Sequence, residues 1–272
     1  MAGTGSRPSH LTIYNGGDAM RFFIDAACGC SIGKVRINNE DNFFFDGKCL
    51  ELDNQGLRNT ACFSDIIKNG LCLAIFDGMG GENFGEVASF TAARHMQTVT
   101  RSLSDYFVSE RRYLLKLTAQ LNDAVVVAKK ELCTDRCGST MVALYFSSGY
   151  VYTCNIGDSR AYRLRDGEFL QLSVDHVEKR PEGERKKAPL TQHLGIDPED
   201  MQIEPYIAKR RVSKGDVYLL CSDGLTDMLS NFEISDIMLT CEEPADCVQK
   251  LIQSALEHGG RDNITVIVCR VN

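Results

Sequence analysis

One pattern recurs along the chain: a short apolar run that ends in a carboxylate, with glycine close by. Leu71-Cys72-Leu73-Ala74-Ile75-Phe76 runs into Asp77-Gly78-Met79-Gly80-Gly81, and Val217-Tyr218-Leu219-Leu220-Cys221-Ser222 runs into Asp223-Gly224. The run 151–156 ends at Gly157-Asp158, and Arg261-Asp262-Asn263 precedes the run 264–269. Short apolar runs bounded by glycine read as buried strands. Each carboxylate then sits at a strand end, and several strand ends can meet at one rim of a sheet. Carboxylates crowd together only around a cation, because like charges raise one another's pKa. The glycines at 78, 80 and 81 remove side-chain bulk around Asp77, so backbone carbonyls can approach a hard divalent ion. Taken singly, an Asp-Gly pair is also an ordinary turn. The repetition is what points to a site.

The chain has 272 residues, 43% of them hydrophobic, which is enough for a sizeable core. Residues 1–17 read as a flexible lead and 18–272 as a single domain. Residues 1–8 lack the apolar core of an export signal, and no long apolar run indicates a membrane segment. A cytoplasmic location is expected. The net charge of −7, without a dominant basic cluster, argues against nucleic acid as a partner. Of the 12 cysteines, Cys72, Cys154, Cys221 and Cys269 lie inside strand-like runs, where a thiol acts as a small hydrophobe. The spacings of Cys28-Gly29-Cys30 and of Cys133 with Cys137 do not form a zinc framework. Reduced core cysteines are expected.

In chain order, 22–28 reads as a strand, 42–48 as a strand running into an Asp46-Gly47 turn, and 50–68 as loop and irregular strand. Helical character is expected over 82–100, with Val87, Phe90, Ala93 and Met96 on one face, and over 114–132. Hairpins follow over 141–152 and 160–172. The segment 176–205 is rich in charge and proline and has little periodicity, which predicts a surface flap. Its Arg180, Arg185, Lys186 and Lys187 would give it positive charge and steer acidic substrates. After the strand 217–222, Asn231 is expected to cap a short helix, and 246–258 to form a third long one. Hairpins with separated helices predict an α+β fold of antiparallel sheets covered by helices, and not an alternating parallel one.

Six stretches occur in one order: Gly33-Lys34-Val35-Arg36-Ile37-Asn38-Asn39-Glu40-Asp41, Asp77-Gly78-Met79-Gly80-Gly81, Gly138-Ser139-Thr140, Gly157-Asp158-Ser159-Arg160, Ser222-Asp223-Gly224 and Arg261-Asp262-Asn263-Ile264-Thr265. On these the chain resembles the metal-dependent serine/threonine protein phosphatases of the protein phosphatase 2C type, in particular the bacterial members. The resemblance implies an α-β-β-α sandwich of two packed antiparallel sheets. It implies two Mn²⁺ or Mg²⁺ ions held by Asp77, the Gly78 carbonyl, Asp223 and Asp262. A third, weaker ion would fall on Asp158 with Asp223. Arg36 would grip the substrate phosphate. Glu40, Asp41 and Asn263 would support the ligands and their waters. Phosphorylated proteins are the implied substrates, opposite a serine/threonine kinase, and a monomer is expected. Met79 stands where eukaryotic members carry a histidine credited with protonating the leaving group, so the general acid is left open. Two other readings remain at this point: a phosphatase dedicated to one sporulation or stress regulator, and a non-enzymatic scaffold that keeps the fold alone. The metal carboxylates are all present, against the scaffold.

Overall fold

The computed structural model describes residues 22–66, 70–80, 84–102, 109–179 and 188–272. The expected flap cations at 180 and 185–187 lie outside the described residues, as does the lead 1–17. One sheet has the strand order β3 (Ala61–Ile66), β1 (Phe23–Ser31), β12 (Ile264–Val271), β11 (Val217–Cys221), β8 (Arg160–Arg165), β9 (Glu168–Gln171). The other runs β10 (Tyr206–Arg211), β7 (Tyr150–Ile156), β6 (Met141–Ser147), β4 (Leu71–Met79), β2 (Asp41–Phe44), with β5 (Gly138–Ser139) pairing the end of β4. Every pairing between these strands is antiparallel.

The apolar runs are unbroken because the central strands are covered on both faces. In β12, Ile267, Cys269 and Val271 face the space between the sheets, while Ile264, Val266 and Val268 face the helix side. β4 divides likewise, with Leu73 and Ile75 inside the sandwich and Cys72, Ala74 and Phe76 under helices. The outer layers are α1 (Gly85–Ser102) and α2 (Glu110–Glu131) on one sheet, and α4 (Asn231–Thr240) and α5 (Pro244–Glu257) on the other. The α+β sandwich expected from the sequence is therefore observed. All twelve cysteines are free, and Cys72, Cys154, Cys221 and Cys269 are buried.

Three hairpins close through two-residue turns at Asp46-Gly47, Ser148-Gly149 and Asp166-Gly167, all with positive φ at both positions. That conformation matches the twist of paired strands and is why Asp-Gly recurs. Four details differ from expectation. Ala93 and Met96 of the expected α1 face are buried, together with Ala88, Ala92 and Val99, while Val87 and Phe90 are only half-buried. Ser230, not Asn231, caps α4, closing a capping box with Glu233. α5 starts at Pro244, because proline suits the first helical turn. β10 forms over 206–211, where no element was expected, and its partner β7 supplies the pairing.

The described part of the flap is anchored. Thr191 donates its amide to the His176 carbonyl, and Leu194 bridges to Ser139. Asn122 of α2 accepts from the Gly195 and Ile196 amides and donates to the Ile196 carbonyl. Leu194 is fully buried against the core.

Candidate functional site

The site is built where β2, β4, β11 and β12 present strand ends on the same side of the sandwich. β2 pairs with β4 so that Asp41 lies opposite Asp77. The Gly78 amide donates to the Glu40 carbonyl (3.0 Å), and the Glu40 amide donates to Asn263 Oδ1 (2.7 Å). Thr140 clamps Asp77: its Oγ1 accepts from the Asp77 amide (3.1 Å) and its amide donates to the Asp77 carbonyl (2.8 Å). Thr140 Oγ1 also lies 2.7 Å from Ser159 Oγ, which ties the Asp158 turn to the same corner. Asp223 opens the short helix α3 (Asp223–Thr226) directly after β11. A Cβ at Gly224 would lie 1.9 Å from the Asn263 carbonyl oxygen and 3.4 Å from Asp262 Cβ, so the Asp223 and Asp262 segments touch backbone to backbone.

The sequence-derived residues Arg36, Glu40, Asp41, Asp77, Gly78, Asp158, Asp223, Asp262 and Asn263 thus come to one rim. Arg36 Nη2 donates to Asp262 Oδ2 at 2.7 Å, and its Nη1 stands 3.9 Å from Glu40 Oε2. The hydrogen bond to Asp262 holds the guanidinium pKa above its ordinary value. Burial raises the Glu40 carboxyl pKa, and Arg36 opposes that rise. Asp41 is buried, and its carboxyl is pushed up to about 7. Burial is the largest cause, hydrogen bonds from Thr265 and Ser222 oppose it, and Asp262 and Glu40 add to it. Both hydroxyls donate to Asp41 Oδ2 at 2.7 Å. A rim that gathers this much negative charge is stabilised by a cation.

Thr140, Ser159, Ser222 and Thr265, whose hydroxyls tie the rim together, are the residues that sequence reasoning passed over, although all four lie inside the recognised stretches. A hydroxyl directly beside a carboxylate was the available signal for Ser159 and Ser222, whereas Thr140 and Thr265 have no such neighbour. Asn39 belongs with them, donating to Cys30 Sγ (3.2 Å) and Asn54 Oδ1 (2.6 Å) behind the Glu40-Asp41 turn.

The donor set consists of oxygens alone, which suits a hard divalent ion. Gly78 fits this use: a Cβ there would lie 2.0 Å from the Gly85 oxygen and 2.6 Å from the Glu40 oxygen, so glycine is required where its carbonyl is offered. Among the described residues, no three acidic, histidine or cysteine side chains stand close enough to hold an ion by themselves. Magnesium-type ions commonly take only one or two carboxylates and keep several waters, so such a set fits them.

A family profile described as Protein phosphatase 2C matches residues 53–257, and the chain belongs to that family. The serine/threonine phosphatase stp of Listeria welshimeri is 29% identical over 255 residues, covering 88% of this chain and 93% of that protein. The serine/threonine protein phosphatase PstP of Mycobacterium tuberculosis is 33% identical over 254 residues, covering 88% of this chain but 43% of its own length. The crystal structure of the M. tuberculosis phosphatase PstP/Ppp superposes with a TM-score of 0.74 at 28% identity, covering 91% of this chain and 98% of that one. A catalytic domain of PstP solved in complex with two manganese ions gives 0.72 at 29% identity, covering 92% and 99%.

Proposed function

We propose that the chain is a metal-dependent serine/threonine phosphoprotein phosphatase. The observation that carries the reading is the gathering of Asp77, Asp223 and Asp262 with Arg36 at one rim, Arg36 lying 2.7 Å from Asp262. Asp77, the Gly78 carbonyl, Asp223 and Asp262 would hold two Mn²⁺ or Mg²⁺ ions, and Asp158 with Asp223 a third. When bound, such ions supply charge neutralisation and an activated water for in-line attack on phosphorus. Arg36 presents a planar fork to the phosphate oxygens. Glu40, Asp41 and Asn263 orient the rim through their hydrogen bonds. Met79 holds no transferable proton and so does not protonate the leaving serine or threonine.

The substrates would be phosphorylated proteins modified by a serine/threonine kinase in the cytoplasm. We take the working unit to be a monomer with one catalytic domain over 18–272 and a flap over 176–205. No described helix is long and apolar enough to cross a membrane. The test is hydrolysis of a phosphothreonine peptide and of p-nitrophenyl phosphate with Mn²⁺, repeated in EDTA. Turnover that is lost in EDTA and restored by Mn²⁺ or Mg²⁺ is expected. Asp223→Asn and Asp262→Asn should each abolish turnover while circular dichroism stays unchanged. Full activity of either variant at saturating Mn²⁺ overturns the ligand assignment.

A further inference from the structure

The loop that carries Arg36 is held along its length. The Lys34 amide donates to the Gly260 carbonyl at 2.7 Å. Asn263 Nδ2 donates to the carbonyls of Ile32 (2.9 Å) and Asn38 (3.1 Å). Asn38 Nδ2 donates to Glu86 Oε2 at 3.3 Å, and Arg36 is tied to Asp262. Gly33 sits at φ +84°, with no room for a Cβ beside the Asp262 carbonyl. A loop fixed in this way does not fold its side chains away.

On this fixed loop the two neighbours of Arg36 are apolar and stand in water. Val35 is 63% exposed and Ile37 89%, the highest value for any large apolar side chain among the described residues. Scattered exposed apolar residues need no explanation. This pair flanks, on either side, the one residue of the site that would hold the substrate phosphate. Val35 and Ile37 adjoin Arg36 in the chain, so the residues next to a phosphoresidue held by Arg36 would pass over this loop. Neither side chain offers a hydrogen bond or a charge, so only an apolar partner gains by covering it. Because the loop is already ordered, covering it costs little further entropy.

We infer that Val35 and Ile37 form a docking surface for apolar side chains next to the phosphoserine or phosphothreonine of the substrate. The inference rests on the phosphatase reading above and adds a specificity to it. The protein then selects phosphosites with Leu, Ile or Val beside the phosphoresidue over sites with small polar neighbours.

The experiment compares kcat/KM for two phosphothreonine peptides that differ only in having leucine or serine on both sides. The wild type is expected to favour the leucine peptide by about tenfold, a typical value for partial burial of aliphatic groups. In Val35→Ser/Ile37→Ser the ratio should fall to within about twofold of one, with thermal unfolding unchanged because both positions lie in water. If that double variant does not fold, Ile37→Thr alone, which keeps the branched shape, should lose part of the preference. Turnover of both peptides by the wild type without a leucine preference overturns the inference and leaves the phosphatase reading standing. No turnover of either peptide or of p-nitrophenyl phosphate at saturating Mn²⁺ overturns both. A preference that survives intact in the variants overturns the assignment to Val35 and Ile37. Sedimentation showing a wild-type dimer that the double variant cannot form assigns the pair to a second copy of the chain, which also overturns it.

Discussion

Gly224 shows how closely the rim is set at the scale of single residues. A methyl group there would meet the Asn263 carbonyl at 1.9 Å, and that neighbour is backbone that cannot rotate away. Gly224→Ala is expected to cost about 2 kcal/mol or more in urea unfolding and to weaken Mn²⁺ binding by titration calorimetry. Wild-type stability and Mn²⁺ affinity in the variant would show that the contact does not order the Asp223 and Asp262 segments. Arg36 makes a different prediction. Its partners Asp262 and Glu40 are parts of the rim, so its removal should weaken phosphate binding before it slows chemistry. Arg36→Ala is expected to raise KM for a phosphopeptide about tenfold or more with a smaller fall in kcat. An unchanged KM would remove Arg36 from substrate binding. The rim carboxylates Asp41, Asp77, Asp223 and Asp262 were legible because each stands in a recognisable stretch beside an apolar run. The hydroxyls that hold them were not, because Thr265 finds Asp41 across 224 positions of chain. A partner that distant leaves no local pattern.

Among the elements, α4 and the β8–β11 pair carry stability that is separable from the site. Ser230 Oγ accepts from the Glu233 amide, and Glu233 Oε2 accepts from the Ser230 amide at 2.8 Å. Ser230→Ala should lose about 1 kcal/mol of stability and leave kinetics untouched. At the other end of the sandwich, buried Asp216 accepts from Arg165 Nε (2.5 Å) and Nη2 (2.7 Å), the Tyr218 hydroxyl (2.7 Å) and the Ser213 amide (2.9 Å). Burial alone raises the Asp216 carboxyl, but Arg165, Tyr218 and the Ser213 amide outweigh it and hold the pKa below the usual carboxylate range. A depressed folded pKa contributes stability that is complete above the unfolded value near about 4 and is lost as pH falls through the lower folded value. Denaturation from pH 6 down to about pH 2 should therefore show wild type falling toward Asp216→Asn, which lacks this titration. Parallel curves across that range would exclude Asp216 as the acid-sensitive group. Ser230 and Glu233 stand three apart, as a capping box requires, yet the adjacent Ser230 and Asn231 offer two side chains able to cap. Only the packing of Tyr162 onto Asn231, whose Oδ1 accepts from the tyrosine hydroxyl at 3.1 Å, takes Asn231 away from capping.

For the whole molecule, the burial of thiols follows from the two-sheet sandwich. Only Cys62 and Cys133 are exposed, Cys49 is half-buried, and the other nine cysteines are buried. Burial pushes Cys30 up to about 12 and Cys154 to about 11, far from thiolate at neutral pH. A thiol reagent should modify two sites quickly in the native protein and all twelve in denaturant, and dithiothreitol should leave the melting temperature unchanged. A reductant-sensitive melting curve would contradict free core thiols. The amino-acid sequence by itself determined the antiparallel class, the hairpins with their left-handed turns and the placing of carboxylates at strand ends, because these depend on spacing and on residues adjacent in the chain. It also determined that the buried strands carry cysteine as a hydrophobe. Only the tertiary structure decided how much of each α1 face is buried, that 206–211 forms an edge strand, and that the second half of the flap is pinned to Asn122 and Ser139. It also left Val35 and Ile37 in water beside Arg36. Each of those outcomes depends on a neighbour supplied from elsewhere in the chain, and short-range periodicity carries no information about that neighbour.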